Sequence, residues 1–200
     1  MAIFQYGQKE LDYLKKKDKK LGEAIERIGF IEREVIPDLF TALVNSIVAQ
    51  QISMKAVDTI WGRMQERFGE ITAENMAEQA VEDVQQCGMT MKKAVWIKNI
   101  AEAVSQGELN LNELSQLSDE EVCRLLCSLN GIGLWTAEML MTFSLQRKDV
   151  VSWGDLAIRR GMMRLYHHKK LDKAKFERYK KRYSPYGTIA SLYLWRISVE

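Results

Sequence analysis

Apolar residues recur at intervals of three and four along almost the whole chain, and no segment alternates apolar with polar residues over the length of a strand. This period is that of an α-helix with one buried face, so the pattern predicts an all-α protein. The first apolar stripe is predicted to form one helix that ends at Gly29, because glycine readily ends a helix. Its members are Leu11, Leu14, Leu21, Ile25 and Ile28.

Capping residues mark the later helices, because serine, threonine and aspartate side chains accept hydrogen bonds from the free N–H groups of a first helical turn. Ser118 and Glu121 have the spacing of a capping box. Between two of the helices, the residues Gln50, Gln51 and Ile52 interrupt the apolar pattern. The predicted helices begin at Pro37, at Ser53 (ending at Gly69), at Thr90 (ending at Gly107), at Ser118, near Leu134, after Asp155 (to about Tyr166), at Asp172 (to about Tyr183) and at Pro185.

A chain of 200 residues that are 46% apolar is large enough for one domain, or for two small subdomains, with a real core. The formal net charge of +2 is close to neutral, so affinity for nucleic acid has to come from local clusters of Lys and Arg. No apolar run reaches the length of a bilayer span, no signal-peptide core follows Met1, and the cysteines are odd in number. We therefore expect a cytoplasmic protein with reduced thiols and no membrane segment.

The most specific local pattern is a pair of glycines, Gly131 and Gly133, on either side of a single apolar residue. Glycine allows the backbone to turn sharply and to pass close to a partner. The helix that begins near Leu134 then presents its free N–H groups to an anion, and a DNA phosphate fits such a site. About one helix further along, Asp155 stands in the loop that opens the next helix.

Four segments, in this order along the chain, resemble the helix-hairpin-helix DNA glycosylases, the superfamily of endonuclease III, and within it the 3-methyladenine DNA glycosylase II branch. They are residues 47–53, the hairpin at 129–137, the loop with Asp155, and residues 183–188 with the 193–195 that follow. The resemblance implies two helical subdomains with the active cleft between them. One would hold roughly residues 1–36 and 150–200, and the other roughly residues 37–149.

The resemblance assigns the catalytic carboxylate to Asp155, which would stabilise positive charge on the sugar as the glycosidic bond breaks. Such an enzyme has to flip the damaged nucleotide out of the duplex, because a base inside the stack cannot be attacked in place. On local sequence alone, Asp155 could instead be an ordinary helix cap. Asp149 matches a family position that is not the catalytic one, and we expect it to be structural.

Relatives that also cut the DNA strand carry a nucleophilic lysine at the position of Trp135. An indole cannot act as that nucleophile, so we expect a monofunctional enzyme that uses water. Trp135 suits the base pocket, because an aromatic face attracts the positive charge of an alkylated purine. The resemblance assigns Tyr186 to a second wall of that pocket. Core packing is the alternative for both residues. Trp153, two residues before Asp155, could border the cleft or merely anchor its loop.

The resemblance places the side chain that enters the duplex at Gln51, with the neighbouring Gln50 as the alternative. Helix capping is the competing interpretation for these glutamines. The other predicted DNA contacts are Gly131, Gly133 and Leu134 of the hairpin, Arg159 and Arg160 after the carboxylate, and Lys92 and Lys93.

The resemblance also implies a structural Na⁺ or K⁺ ion at the hairpin, held by the backbone carbonyl oxygens of Cys127, Leu129 and Gly131 and bridging to phosphate. Endonuclease III-type relatives ligate an iron–sulfur cluster with four cysteines in a C-terminal loop, but no cysteine follows Cys127 here. We therefore expect no iron–sulfur cluster and no redox cofactor.

The predicted function is that of a monomeric, monofunctional DNA glycosylase. It would hydrolyse the N-glycosidic bond of alkylated, cationic purines such as 3-methyladenine in double-stranded DNA, as a step of base excision repair. Two alternatives remain open. One is a DNA-binding helix-hairpin-helix module without catalysis, and the other is a glycosylase for an oxidised, deaminated or mismatched base.

Overall fold

The computed structural model describes residues 2–200, which are mainly helical, so the predicted all-α class is confirmed. A two-stranded antiparallel sheet joins β1 (Ala2–Ile3) to β2 (Glu34–Val35). A 3-10 helix spans Leu111–Gln116. The α-helices are α1 (Gln8–Lys17), α2 (Lys19–Ile28), α3 (Leu39–Val48), α4 (Met54–Phe68), α5 (Ala73–Glu78), α6 (Val81–Gln86), α7 (Met91–Ser105), α8 (Asp119–Ser128), α9 (Leu134–Phe143), α10 (Leu156–Tyr166), α11 (Lys173–Tyr183) and α12 (Gly187–Ile197).

The prediction of a single first helix was wrong, because the chain breaks at Asp18 into α1 and α2. Asp18 is buried, and its Oδ1 accepts a hydrogen bond from the Leu21 N–H as the N-cap of α2. Its Oδ2 accepts bonds from the hydroxyl of Tyr166 at 2.6 Å and from the guanidinium of Arg182 at 2.7 Å. A buried carboxylate needs such donors, and distant residues supply them, so the apolar stripe alone could not indicate the break.

Most predicted helix starts are confirmed, since Ser53, Thr90, Ser118, Asp155 and Asp172 each cap a helix with a side-chain hydrogen bond. The last helix begins at Gly187, two residues after Pro185, and its N-cap is Tyr186. The short helices α5 and α6 were not predicted. Each has six residues, which is under two turns and too short for a helical period to stand out.

The chain divides into two compact units. The first unit consists of residues 2–35 and Met141–Glu200, and the second unit consists of Ile36–Leu140. The chain returns to the first unit at Met141, within the last turn of α9. The resemblance had placed this return near residue 150. Phe143, at the end of α9, packs its ring 5.4 Å from that of Trp195 in α12. The last turn of α9 therefore belongs with the C-terminal helices.

In the first unit, α12 packs against α10 and α2 and is buried along most of its length. Gly161 permits this contact, because a Cβ atom there would lie 2.1 Å from the carbonyl oxygen of Leu194. The close approach of the two backbones fixes α10 and thereby the position of Asp155 at its N-terminus.

In the second unit, α7 packs against α3, α5 and α6. Its buried face consists of Ala94, Ile97, Ile100 and Ala101. Near its start, α7 contacts the end of α3 through Lys93, and its Trp96 lies next to Gly131 of the hairpin between α8 and α9. Within residues 2–200, no helix combines the length and the apolar character that crossing a bilayer requires.

Candidate functional site

The predicted glycine turn is present between α8 and α9. The Ile132 N–H donates to the Leu129 carbonyl at 3.1 Å. Gly131 has a φ of +87°, a backbone conformation that residues other than glycine rarely adopt. A Cβ atom on Gly131 would lie 2.4 Å from the ring of Trp96. Both the conformation and the neighbouring indole therefore require glycine at this position.

Gly133 is exposed, and a Cβ atom there would have no neighbour within 4 Å. Its carbonyl accepts the Ala137 N–H at 2.9 Å, so α9 starts directly after it. An exposed helix N-terminus of this kind can bind an anion. Leu134 is 58% exposed and Trp135 is 50% exposed, which places two large apolar surfaces beside this helix end.

The loop after α3 distinguishes the two candidate glutamines. The Gln50 side chain donates from Nε2 to the carbonyl oxygen of Gly131 at 2.7 Å, which ties this loop to the hairpin. Gln51 is exposed and has a φ of 59°, in the left-handed region. Because the amide of Gln50 is engaged within the protein, Gln51 is the better candidate for entry into a duplex.

Lys93 was expected to approach DNA, but the structure places its ammonium group against the protein backbone. Nζ donates to the carbonyl oxygens of Val48 at 3.0 Å and Gln50 at 2.6 Å. Burial lowers the pKa of Lys93. Its neighbour Lys92 is exposed and lies 5.0 Å from the ring centre of Trp96, so Lys92 remains the candidate for a contact with DNA.

Asp155 forms the N-cap of α10 and is 8% exposed. Its Oδ1 accepts the Ile158 N–H at 2.9 Å, and its Oδ2 accepts the indole N–H of Trp195 at 3.2 Å. The positive end of the helix dipole stabilises negative charge at this position. Two hydrogen bonds therefore hold this carboxyl group in a fixed position at the start of α10. The sequence did not indicate Trp195 as its partner, since the two residues are far apart in the chain.

Trp153 packs against α11, with its ring edge-on to buried Phe176 at 5.1 Å. The guanidinium of Arg159 lies 4.9 Å from the Trp153 ring centre. This packing favours the anchoring role for Trp153, in which it holds the loop before Asp155 onto the first unit.

Arg159 also lines a depression of about 370 Å³ beside α10. Four cationic side chains contribute to its wall, which suits an anionic ligand. Arg160 among them is exposed. The lining residues are Leu156, Arg159, Arg160, Met163, Lys169, Lys170 and Leu171.

Tyr186 is half-buried, and its ring meets that of Tyr13 edge-on at 5.1 Å. The connection before it is held by Asp149, which accepts hydrogen bonds from the Ser184 hydroxyl at 2.5 Å and from the Gly187 N–H at 3.0 Å. These bonds fix the start of α12 and agree with the structural role expected of Asp149. Part of the Tyr186 ring therefore packs within the first unit, against Tyr13.

Two of the three carbonyl oxygens predicted to hold a Na⁺ or K⁺ ion accept hydrogen bonds within the protein, and the ion stays a prediction. The Gly131 carbonyl accepts a hydrogen bond from the Gln50 amide. The Leu129 carbonyl accepts the Ile132 N–H. Within residues 2–200, His, Cys, Asp and Glu side chains form no group of three or more that could hold a metal ion.

Residues 44–185 match the family model described as HhH-GPD superfamily base excision DNA repair protein. The chain belongs to this superfamily. It is 34% identical over 167 residues to DNA-3-methyladenine glycosylase 1 of Schizosaccharomyces pombe, a match that covers 80% of this chain and 72% of the relative.

Two solved structures extend this similarity to the fold. A DNA-3-methyladenine glycosidase from Bacillus halodurans superposes with a TM-score of 0.89 at 36% identity, over 99% of this chain and 93% of the other. A 3-methyladenine DNA glycosylase of Schizosaccharomyces pombe, solved in complex with abasic DNA, gives a TM-score of 0.80 at 29% identity, over 94% and 96%.

Proposed function

We propose that this protein is a monofunctional DNA glycosylase that excises alkylated, cationic purines such as 3-methyladenine from double-stranded DNA in base excision repair. Similarity to glycosylases of that name over nearly the whole chain supports the substrate class. The observation that carries the chemistry is Asp155, a carboxylate held by hydrogen bonds on both oxygens at the N-terminus of α10.

The reaction needs stabilisation of positive charge on the sugar. When the glycosidic bond breaks, its electron pair leaves with the base, and a cationic base such as 3-methyladenine departs as a neutral molecule. The sugar becomes oxocarbenium-like, and Asp155 stabilises this charge electrostatically. Water then adds to the sugar carbon and loses a proton, which leaves an abasic site.

Trp135 accounts for two features of the proposal. Its indole has no amine that could form a Schiff base with the sugar, so strand cleavage by that route is excluded at this position. Its half-exposed ring offers a face that attracts a cationic purine more strongly than a neutral one.

Binding to the duplex is assigned to groups that contact phosphate and to one that enters the base stack. The hairpin with Gly131 and Gly133 presents the N-terminus of α9 to the sugar–phosphate backbone of DNA. The depression lined by Arg159 and Arg160 supplies cationic side chains. Gln51 fills the space that the flipped nucleotide leaves, and its amide can hydrogen-bond the orphaned partner base. We expect the protein to act as a monomer, without a redox cofactor, on DNA inside the cell.

The direct test is to incubate the purified protein with randomly methylated duplex DNA and to separate the released bases by chromatography. Free 3-methyladenine is expected from the unmodified protein and not from Asp155→Asn. Duplex binding without any released base would support the DNA-binding module instead. Release confined to oxidised, deaminated or mismatched bases, measured on oligonucleotides that each carry one such lesion, would overturn the choice of substrate.

A further inference from the structure

The loop that carries Gln51 needs support from outside its own segment. At a φ of 59°, Gln51 occupies a conformation that costs a residue with a side chain about 1–2 kcal/mol. The loop also begins where α3 ends, and the last carbonyl groups of a helix have no partner within the helix. Its conformation is therefore set by the groups that bind its backbone.

Lys93 supplies those bonds from the first turn of α7. Its ammonium group bridges the carbonyl oxygen of Val48, the last residue of α3, and that of Gln50, which belongs to the peptide bond directly before Gln51. A positive charge at the C-terminus of α3 also interacts favourably with the helix dipole. The ammonium thus fixes the peptide plane on which the φ angle of Gln51 depends.

A second bond joins the same loop to the hairpin, because the Gln50 amide donates to the Gly131 carbonyl at 2.7 Å. The loop with Gln51 and the turn that is proposed to hold phosphate therefore belong to one hydrogen-bonded assembly. Binding of the hairpin to the DNA phosphate backbone would then set how deeply the Gln51 side chain enters the base stack.

We infer that Lys93 is a positioning residue for base flipping, which holds the backbone of Gln50 so that the Gln51 side chain projects outward into the duplex. This inference rests on the proposed glycosylase function. It predicts that Lys93 acts through Gln51 and contributes only where a duplex has to be opened.

The test compares Lys93→Met, which keeps the length of the side chain and removes its donors, with Lys93→Arg, which keeps donors and charge. Lys9→Met serves as the control, because it removes an exposed lysine charge on α1, which has no proposed contact with DNA, and leaves both carbonyl bonds intact. Gln51→Ala and the double variant with Lys93→Met complete the set. Excision is measured under single-turnover conditions on randomly methylated DNA in duplex and in single-stranded form.

Lys93→Met is expected to slow excision from duplex about tenfold to a hundredfold, the size of effect typical for a hydrogen-bonded charge. Excision from single strands should stay within about twofold, because no stack has to be opened. The double variant should be no slower than the slower single variant, since both changes remove one function. Lys93→Arg should recover most of the rate, and Lys9→Met should flip and excise as the unmodified protein does.

A fluorescence measurement follows flipping without excision, with 2-aminopurine placed opposite a tetrahydrofuran abasic analogue. Lys93→Met should reduce the increase in fluorescence on binding, as Gln51→Ala does. Multiplying losses in the double variant, or equal losses on duplex and single strands, would overturn the inference. If the unmodified protein released no base from either substrate, the glycosylase proposal would fail, while the fluorescence signal would still decide the role of Lys93.

Discussion

Replacement of Asp155 by Asn tests the proposed chemistry most directly, because the two side chains have nearly the same shape. An Asn oxygen can still accept the Ile158 N–H and cap α10, and Asn caps helices about as well as Asp. The amide nitrogen then faces the indole N–H of Trp195, where the carboxylate now accepts a bond at 3.2 Å. The loss of that one bond should destabilise the fold by only about 0.5–1.5 kcal/mol.

The loss of activity should be much larger than the loss of stability. At about 4 Å from the sugar and an effective dielectric constant of about 20, one negative charge stabilises the developing cation by about 4 kcal/mol, or about a thousandfold in rate. The excision rate under single-turnover conditions measures this factor, and thermal unfolding measures the stability. Affinity for damaged duplex should remain largely intact.

Asp172→Asn is the matched control, because Asp172 caps α11 with a 2.8 Å bond to the Lys175 N–H and is proposed to have no part in the reaction. Its excision rate should equal that of the unmodified protein. A folded Asp155→Asn protein that loses less than about tenfold in rate would reduce Asp155 to a helix cap and refute the electrostatic argument.

Three other changes test separate parts of the structure. Borohydride should trap no covalent adduct between protein and DNA during turnover, and a trapped adduct would contradict the monofunctional mechanism. Trp135→Ala should lose about two- to thirtyfold more activity on 7-methylguanine than on neutral hypoxanthine, because the cation–π interaction applies only to a charged base. Equal losses on the two bases would contradict the proposed role of the indole. Gly131→Ala should lower the free energy of unfolding by at least about 1–2 kcal/mol, because the φ of Gly131 is +87° and a Cβ atom would lie 2.4 Å from an indole ring. It should also weaken binding to damaged and undamaged duplexes alike. Gly133→Ala should be tolerated in the fold, because a Cβ atom there has open space around it. Asp18→Ala should lose about 1–3 kcal/mol in urea denaturation, because it removes the N-cap of α2 and the acceptor of the buried Tyr166 hydroxyl. Exposed Asp12→Ala should change stability little.

The starts of the helices could be predicted from the sequence because capping is a local interaction. The hydroxyl of Ser53 and the carboxylates of Asp155 and Asp172 each bind an N–H three residues further along. The glycine turn is equally local, since Gly131 is required by its own φ angle. Together with the order of the family motifs, these features were sufficient to predict the helical class, the superfamily and the candidate carboxylate.

The partners of the key side chains are decided by tertiary structure. Trp195 reaches Asp155 across 40 residues of sequence, and Lys93 reaches Gln50 across 43. From the sequence, Lys93 had the charge of a DNA contact, and Gln50 could not be separated from Gln51. A side chain's chemical type limits what it can bind, but which donor meets which acceptor depends on how helices pack, and that depends on the whole set of buried contacts.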